Sequence, residues 1–127
     1  MKPLANNKGV LVDEPDYFGP RCFSETAIRT FPELATELTQ DAELLHVQMG
    51  TLASAGRRAI TRGDLSFLHR LFAFLEDVLS RPRLHHEIPN AVATSFLLPV
   101  DFEVSDTGRH AWQALPQRIK HVLARAI

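Results

Sequence analysis

Two side chains near residue 45 have the spacing of a metal-binding pair. Glu43 and His46 form a Glu-x-x-His motif, with which one helix of a carboxylate-bridged di-iron bundle presents two ligands. A complete di-iron centre needs a second such motif and further glutamates, whereas this chain offers isolated histidines such as His69 and His86. We therefore predict no metal ion and no cofactor. A helical metalloenzyme or metal-binding bundle that uses Glu43 and His46 with His69 or His86 is kept as the alternative. No spacing rule supports a mononuclear site formed by His46, His69 and His86.

Nucleophilic catalysis has less support in the sequence. Cys22 follows Arg21, which could lower the pKa of a thiol, but no residue pattern supplies the general base that such a nucleophile requires. Gly-x-Ser-x-Gly, P-loop and dinucleotide-binding motifs do not occur. We predict no catalytic residue, and the chain fits an interaction protein better than an enzyme.

The C-terminal residues carry a concentration of positive charge. From Thr107 to Ile127 there are four lysines and arginines and no acid, while Met1–Gly56 contains eight acids and four bases. The predicted partner-binding stripe comprises Arg109, Arg118, Lys120, His121 and Arg125. Its simpler interpretation is a solvated helix face stabilised by the helix dipole. If the stripe binds a partner, we favour an acidic protein over a nucleic acid, because the net charge of the chain is only −1.

Two polar residues are embedded in apolar stretches of the sequence. Glu76 and Asn90 are flanked by residues with the spacing of a buried helix face. Polar groups beside a core are normally retained by hydrogen bonds. We therefore predict structural roles for both.

Composition limits the cellular setting. The chain has 127 residues, of which 45% are hydrophobic, and this suits one globular domain. It has a single cysteine, no apolar leader and no apolar run near the roughly 20 residues that span a bilayer. These features predict a cytoplasmic protein that does not interact with membranes.

Helical spacing of apolar residues predicts an all-α fold. We expect a compact five-to-six-helix bundle at residues 21–127 after an irregular arm at residues 1–20, and no sheet, because hairpin signals are missing. Leu65–Leu79 has its polar residues in one narrow stripe, so it should be the central, buried helix. The predicted helices begin at an N-cap on Ser24, at Pro32, near Asp41, at Leu65, at Pro89 and at Pro116, with Trp112 in a short turn.

Four short motifs resemble landmarks of an uncharacterised bacterial family of short helical proteins. They are Phe31–Leu34, His46–Met49, Arg70–Glu76 and Asn90–Leu97. The resemblance covers residues 23–122 and implies one all-helical domain without an assigned activity. Some small proteins of this general type resemble immunity factors or other toxin partners.

These observations together predict a non-catalytic, protein-binding helical domain. The resemblance implies an immunity or toxin-partner type of factor. The metalloenzyme and a nucleic-acid-associated helical module are the two alternatives. The identity of the partner and any homo-oligomer are left open by the sequence.

Overall fold

The structure is a computed structural model that describes residues 17–97, 99–100, 102–103 and 105–126. Seven α-helices lie within these residues: α1 (Pro20–Thr30), α2 (Ala35–Gln40), α3 (Leu45–Arg62), α4 (Leu65–Leu79), α5 (Glu87–Ala91), α6 (Asp106–Ala114) and α7 (Gln117–Ala126). A 3₁₀ turn, Pro32–Leu34, leads into α2, and a π-helical segment, Val92–Leu97, continues α5. The all-α prediction is confirmed. Residues 1–16 of the predicted arm lie outside the described residues.

Trp112 lies in helix α6 rather than in the predicted short turn, and this adds a helix to the five or six expected. The side chain of Ser105 accepts a hydrogen bond from the Gly108 amide at 3.1 Å and thereby caps α6. Asp106 in the first turn adds negative charge at the positive end of the helix.

The prediction of an N-cap at Ser24 is wrong. Helix α1 already begins at Pro20, a residue that suits the first helical position, with Gly19 as its N-cap. Ser24 lies within the helix and is 3% exposed. Its hydroxyl is used for a tertiary contact, described below, and not to start the helix.

Helix α3 also begins later than predicted, at Leu45 instead of near Asp41. Glu43 has a φ of 66°, a left-handed conformation that interrupts a helix. Its amide donates a 2.8 Å hydrogen bond to the Ser24 hydroxyl, which compensates for the missing helical bond. Glu43 therefore lies in the turn before α3, and His46 in its first turn.

Helices α3 and α4 form the centre of the bundle. Helix α3 packs against α1, α2, α4, α5, α6 and the π-helical segment, while α4 packs against α1, α3 and α7. Between α3 and α4, Gly63 adopts a φ of 72° and ends α3, and Asp64 caps α4 by accepting a hydrogen bond from the Phe67 amide. The apolar face of α4 is buried as expected, but the central position is shared with α3.

A two-residue parallel pairing, not expected from the sequence, lies beside the first helix. Strand β1 (Tyr17–Phe18) pairs with β2 (Arg83–Leu84), with Tyr17 opposite Arg83. Phe18 is buried and lies under the guanidinium of Arg81, whose central carbon is 4.6 Å from the ring centroid. The pairing attaches the start of α1 to the loop after α4.

Aromatic side chains connect α1 to α4. Phe74 contacts Phe23 and Phe31, with ring centroids 5.6 and 5.3 Å apart. These rings belong to one continuous group of buried side chains that reaches from Phe18 to Ile119. Among the described residues, no helix combines the length and hydrophobicity required to cross a membrane.

Candidate partner-binding site

The structure separates the residues of the alternative metal site. Glu43 faces Arg21 at 3.9 Å, and His69 lies on the exposed side of α4. His46 contacts Ser95 Oγ through Nδ1 at 2.7 Å and Glu87 Oε1 through Nε2 at 3.5 Å. Over the residues that the structure describes, no three histidine, cysteine, aspartate or glutamate side chains form a group that could hold a metal ion. The Glu-x-x-His spacing does not act as a helical pair because Glu43 precedes the helix.

Three members of the predicted cationic stripe are engaged within the chain. Arg118 Nε lies 3.1 Å from Glu76 Oε2 and joins α7 to α4. Arg109 pairs with Asp106 and donates to the carbonyl oxygen of Glu103. These contacts favour a structural contribution from the basic end of the chain.

Lys120 is the third engaged member, because its Nζ lies 5.2 Å from the centroid of the Trp112 ring. A cation at this distance is attracted to the face of the ring. His121 and Arg125 remain exposed on α7, and neither makes an ion pair with a described residue. The part of the stripe still available to a partner is therefore its C-terminal part.

A groove between α5 and α7 includes one of these two side chains. Its volume is about 380 Å³, and it is lined by His86, Pro89, Asn90, Val122 and Arg125. Pro89 and Val122 supply apolar surface, whereas His86, Asn90 and Arg125 supply polar groups. An apolar floor with a few polar groups is the usual composition of a binding groove. We refer to these five residues as the α5–α7 groove.

Glu87 does not line the α5–α7 groove, but it contacts two residues that do, His86 and Asn90. Hydrogen bonds from His46 and then Asn90 hold the pKa of Glu87 below its ordinary value. Its Oε2 lies 3.6 Å from His86 Nε2, so its negative charge is close to that imidazole. Arg125 is consequently the cation of the groove that no described carboxylate balances.

Glu76 and Asn90 differ in their surroundings. Glu76 is partly buried; its Oε2 accepts the Arg118 hydrogen bond, while its Oε1 is buried and has no hydrogen-bond partner among the described residues. Asn90 is exposed and donates to Glu87 Oε1 at 3.4 Å. The structural roles predicted for both residues stay predictions.

The polar residue that is most deeply buried among those described was not expected from the sequence. Gln48 has 0% exposure; it accepts a 2.7 Å hydrogen bond from the Ser24 hydroxyl and donates a 2.8 Å hydrogen bond to the Leu38 carbonyl. It lies between Leu45 and Leu52, which are also buried, at a spacing that puts all three on one face of α3. The helical spacing of these residues was the signal in the sequence that could have placed Gln48 in the core.

The arginines of α3 were not among the site residues predicted from the sequence. Arg57, Arg58 and Arg62 line surface grooves on the second half of this helix. The cluster of three arginines within residues 57–62 was visible in the sequence, but the pocket that Arg58 and Arg62 share with residues of α4 depends on the α3–α4 packing.

No curated protein and no solved structure matches this chain. One family profile, described as a domain of unknown function (DUF7674), matches residues 24–127. This agrees with the resemblance to an uncharacterised family that the four short motifs suggested. Since the profile covers most of the chain and the described part is all-helical, the chain belongs to the DUF7674 family.

Proposed function

We propose that this protein is a non-catalytic domain that binds another protein, and that the α5–α7 groove receives an acidic segment of that partner. The observation that carries this proposal is the position of Arg125, which lines an apolar groove and has no ion pair with a described residue. A carboxylate of the partner would complete the charge, while its apolar side chains would cover Pro89 and Val122.

The basic residues of the C-terminal stripe fall into two groups, those engaged within the chain and those left exposed, and this supports the same proposal. Arg118 is paired with Glu76, and Lys120 lies over Trp112, so both contribute within the chain. Arg125 and the exposed His121 are left to contact a negatively charged partner. We further propose that the protein acts in the reducing cytoplasm as a toxin partner or a similar factor, in line with its lone Cys22.

The test is capture of partners from host lysate with the wild-type chain and two charge-reversed variants. Arg125→Glu alters the α5–α7 groove, and Arg29→Glu is the matched control, since each arginine is exposed in the last turn of its helix. We expect one protein to be captured by the wild type and by Arg29→Glu, and to be lost with Arg125→Glu.

The affinity of the chain and its variants is then measured directly with a synthetic peptide that copies an acidic segment of the captured protein. Reversal of a charge that pairs with a carboxylate should weaken binding by about tenfold or more. Equal capture by Arg125→Glu and the wild type would refute the proposed groove. Stoichiometric metal that is lost on His46→Ala would instead support the metalloenzyme.

A further inference from the structure

A second charged pocket lies between α3 and α4, on residues that the proposed partner surface does not use. Its volume is about 350 Å³, and three guanidinium groups line it, those of Arg58, Arg62 and Arg70. Glu33, Asp64 and Ser66 supply its other polar side chains. How far each arginine is already neutralised decides whether the pocket can bind an anion.

Arg70 is fixed in place by its own contacts. Two of its nitrogens lie 2.8 and 3.2 Å from the carboxylate oxygens of Glu33, and one also donates to the carbonyl of Thr30 at 3.0 Å. The hydrogen bond from Arg70 lowers the pKa of Glu33, so this pair stays charged at neutral pH. Arg70 therefore forms a rigid wall of the pocket and is largely balanced by Glu33.

Arg62 is held much less firmly. Its Nη2 lies 3.6 Å from Asp64 Oδ2, and both side chains are substantially exposed. Exposed pairs of this kind contribute little to stability. Asp64 caps α4 through its other oxygen, Oδ1, which accepts from the Phe67 amide. Arg62 can thus turn to a ligand without disturbing the cap.

Arg58 has no ion pair or hydrogen bond with a described residue. Like Arg62, it also lines the adjoining groove that contains Arg57. The two adjoining cavities thus combine four arginines with the carboxylates of Glu33 and Asp64. Their formal charge is positive, and the first turn of α4, with Ser66, adds the positive end of a helix dipole.

We propose that the pocket between α3 and α4 binds a phosphate monoester through Arg58 and Arg62. A phosphate monoester carries close to two negative charges at neutral pH and offers three oxygens to planar guanidinium groups. Two guanidiniums match this charge: Arg58, which pairs with no residue that the structure describes, and the weakly paired Arg62. The phosphodiester of a nucleic acid carries only one charge per phosphate and fits the pocket less well.

Titrations of the full chain, followed by backbone amide NMR shifts at constant ionic strength, test this inference. The probes are inorganic phosphate, glycerol 3-phosphate, a short DNA duplex, and a peptide with one phosphoserine beside its unphosphorylated form. We expect saturable shifts confined to the end of α3 and the start of α4. Tighter binding of the phosphopeptide than of glycerol 3-phosphate would assign the phosphate to a modified protein, and the reverse order to a small metabolite.

Arg58→Gln is the decisive variant because no described contact that stabilises the fold depends on Arg58. It should weaken binding of the phosphorylated probes by about tenfold. Arg125→Gln removes the same charge at the α5–α7 groove and should leave binding unchanged. An absence of saturable shifts, equal affinity for Arg58→Gln and the wild type, or preferential binding of duplex DNA would overturn the proposal. None of these outcomes concerns the partner groove, so the two proposals can fail separately.

Discussion

At the scale of single residues, the buried polar contacts were the hardest to anticipate. Ser24 and Gln48 connect four parts of the chain: α1, the end of α2, the turn before α3, and α3 itself. Their hydrogen bonds satisfy polar groups in an apolar interior, where an unpaired polar group would lower the stability of the fold. Both residues were visible in the sequence, but their pairing depends on segments that are 24 residues apart.

Replacement of Gln48 by methionine should therefore destabilise the fold. The side chain keeps nearly the same shape, but the Ser24 hydroxyl and the Leu38 carbonyl lose their partner. We expect the free energy of unfolding to fall by about 2 kcal/mol. Urea denaturation followed by circular dichroism measures this change. Gln113→Met, on the exposed side of α6, should alter stability little; equal losses for the two variants would contradict the structural role of Gln48.

At the scale of elements, helix α3 contains two glycines in different surroundings. A Cβ atom on Gly50 would have no neighbour within 4 Å, whereas one on Gly56 would lie 3.3 Å from Leu71 Cδ2. Gly56 therefore allows α4 to approach α3 closely at Leu71. No neighbouring group requires a glycine at position 50.

The two glycines should respond differently to alanine. Gly50→Ala should raise the free energy of unfolding by about 0.5–1 kcal/mol, because alanine restricts the unfolded chain and favours the helix. Gly56→Ala should raise the free energy of unfolding by less, since the Leu71 side chain must move to make room for the added methyl group. Thermal and urea unfolding of both variants give the comparison, and an equal gain would show that α4 does not pack tightly at Gly56.

At the scale of the whole molecule, the buried side chains form one continuous cluster that joins α1, α3, α4, the π-helical segment, α6 and α7. Arg118 and Glu76 add a polar contact between α7 and α4. The C-terminal helices, whose charge first suggested a separate binding surface, are thus attached to the same core as the N-terminal ones.

A continuous core predicts one cooperative unfolding transition. Trp112 reports locally on α6, where its ring lies 5.4 Å from that of Phe102, whereas far-ultraviolet circular dichroism reports on all helices. The urea midpoints from tryptophan fluorescence and circular dichroism should therefore coincide. Two separate midpoints would show that α6 and α7 unfold independently of the rest.

The sequence by itself determined the helical class, the family resemblance and most helix positions. These follow from apolar spacing and from local stop and start residues such as Gly63 and Asp64, which act within a few positions of the chain. Tertiary structure decided how polar residues are used: Ser24 bonds to Gln48 instead of capping a helix, Arg118 pairs with Glu76, and Arg125 stays unpaired with described residues. The physical reason is that hydrogen bonds and ion pairs depend on distances between remote segments, which local periodicity does not encode.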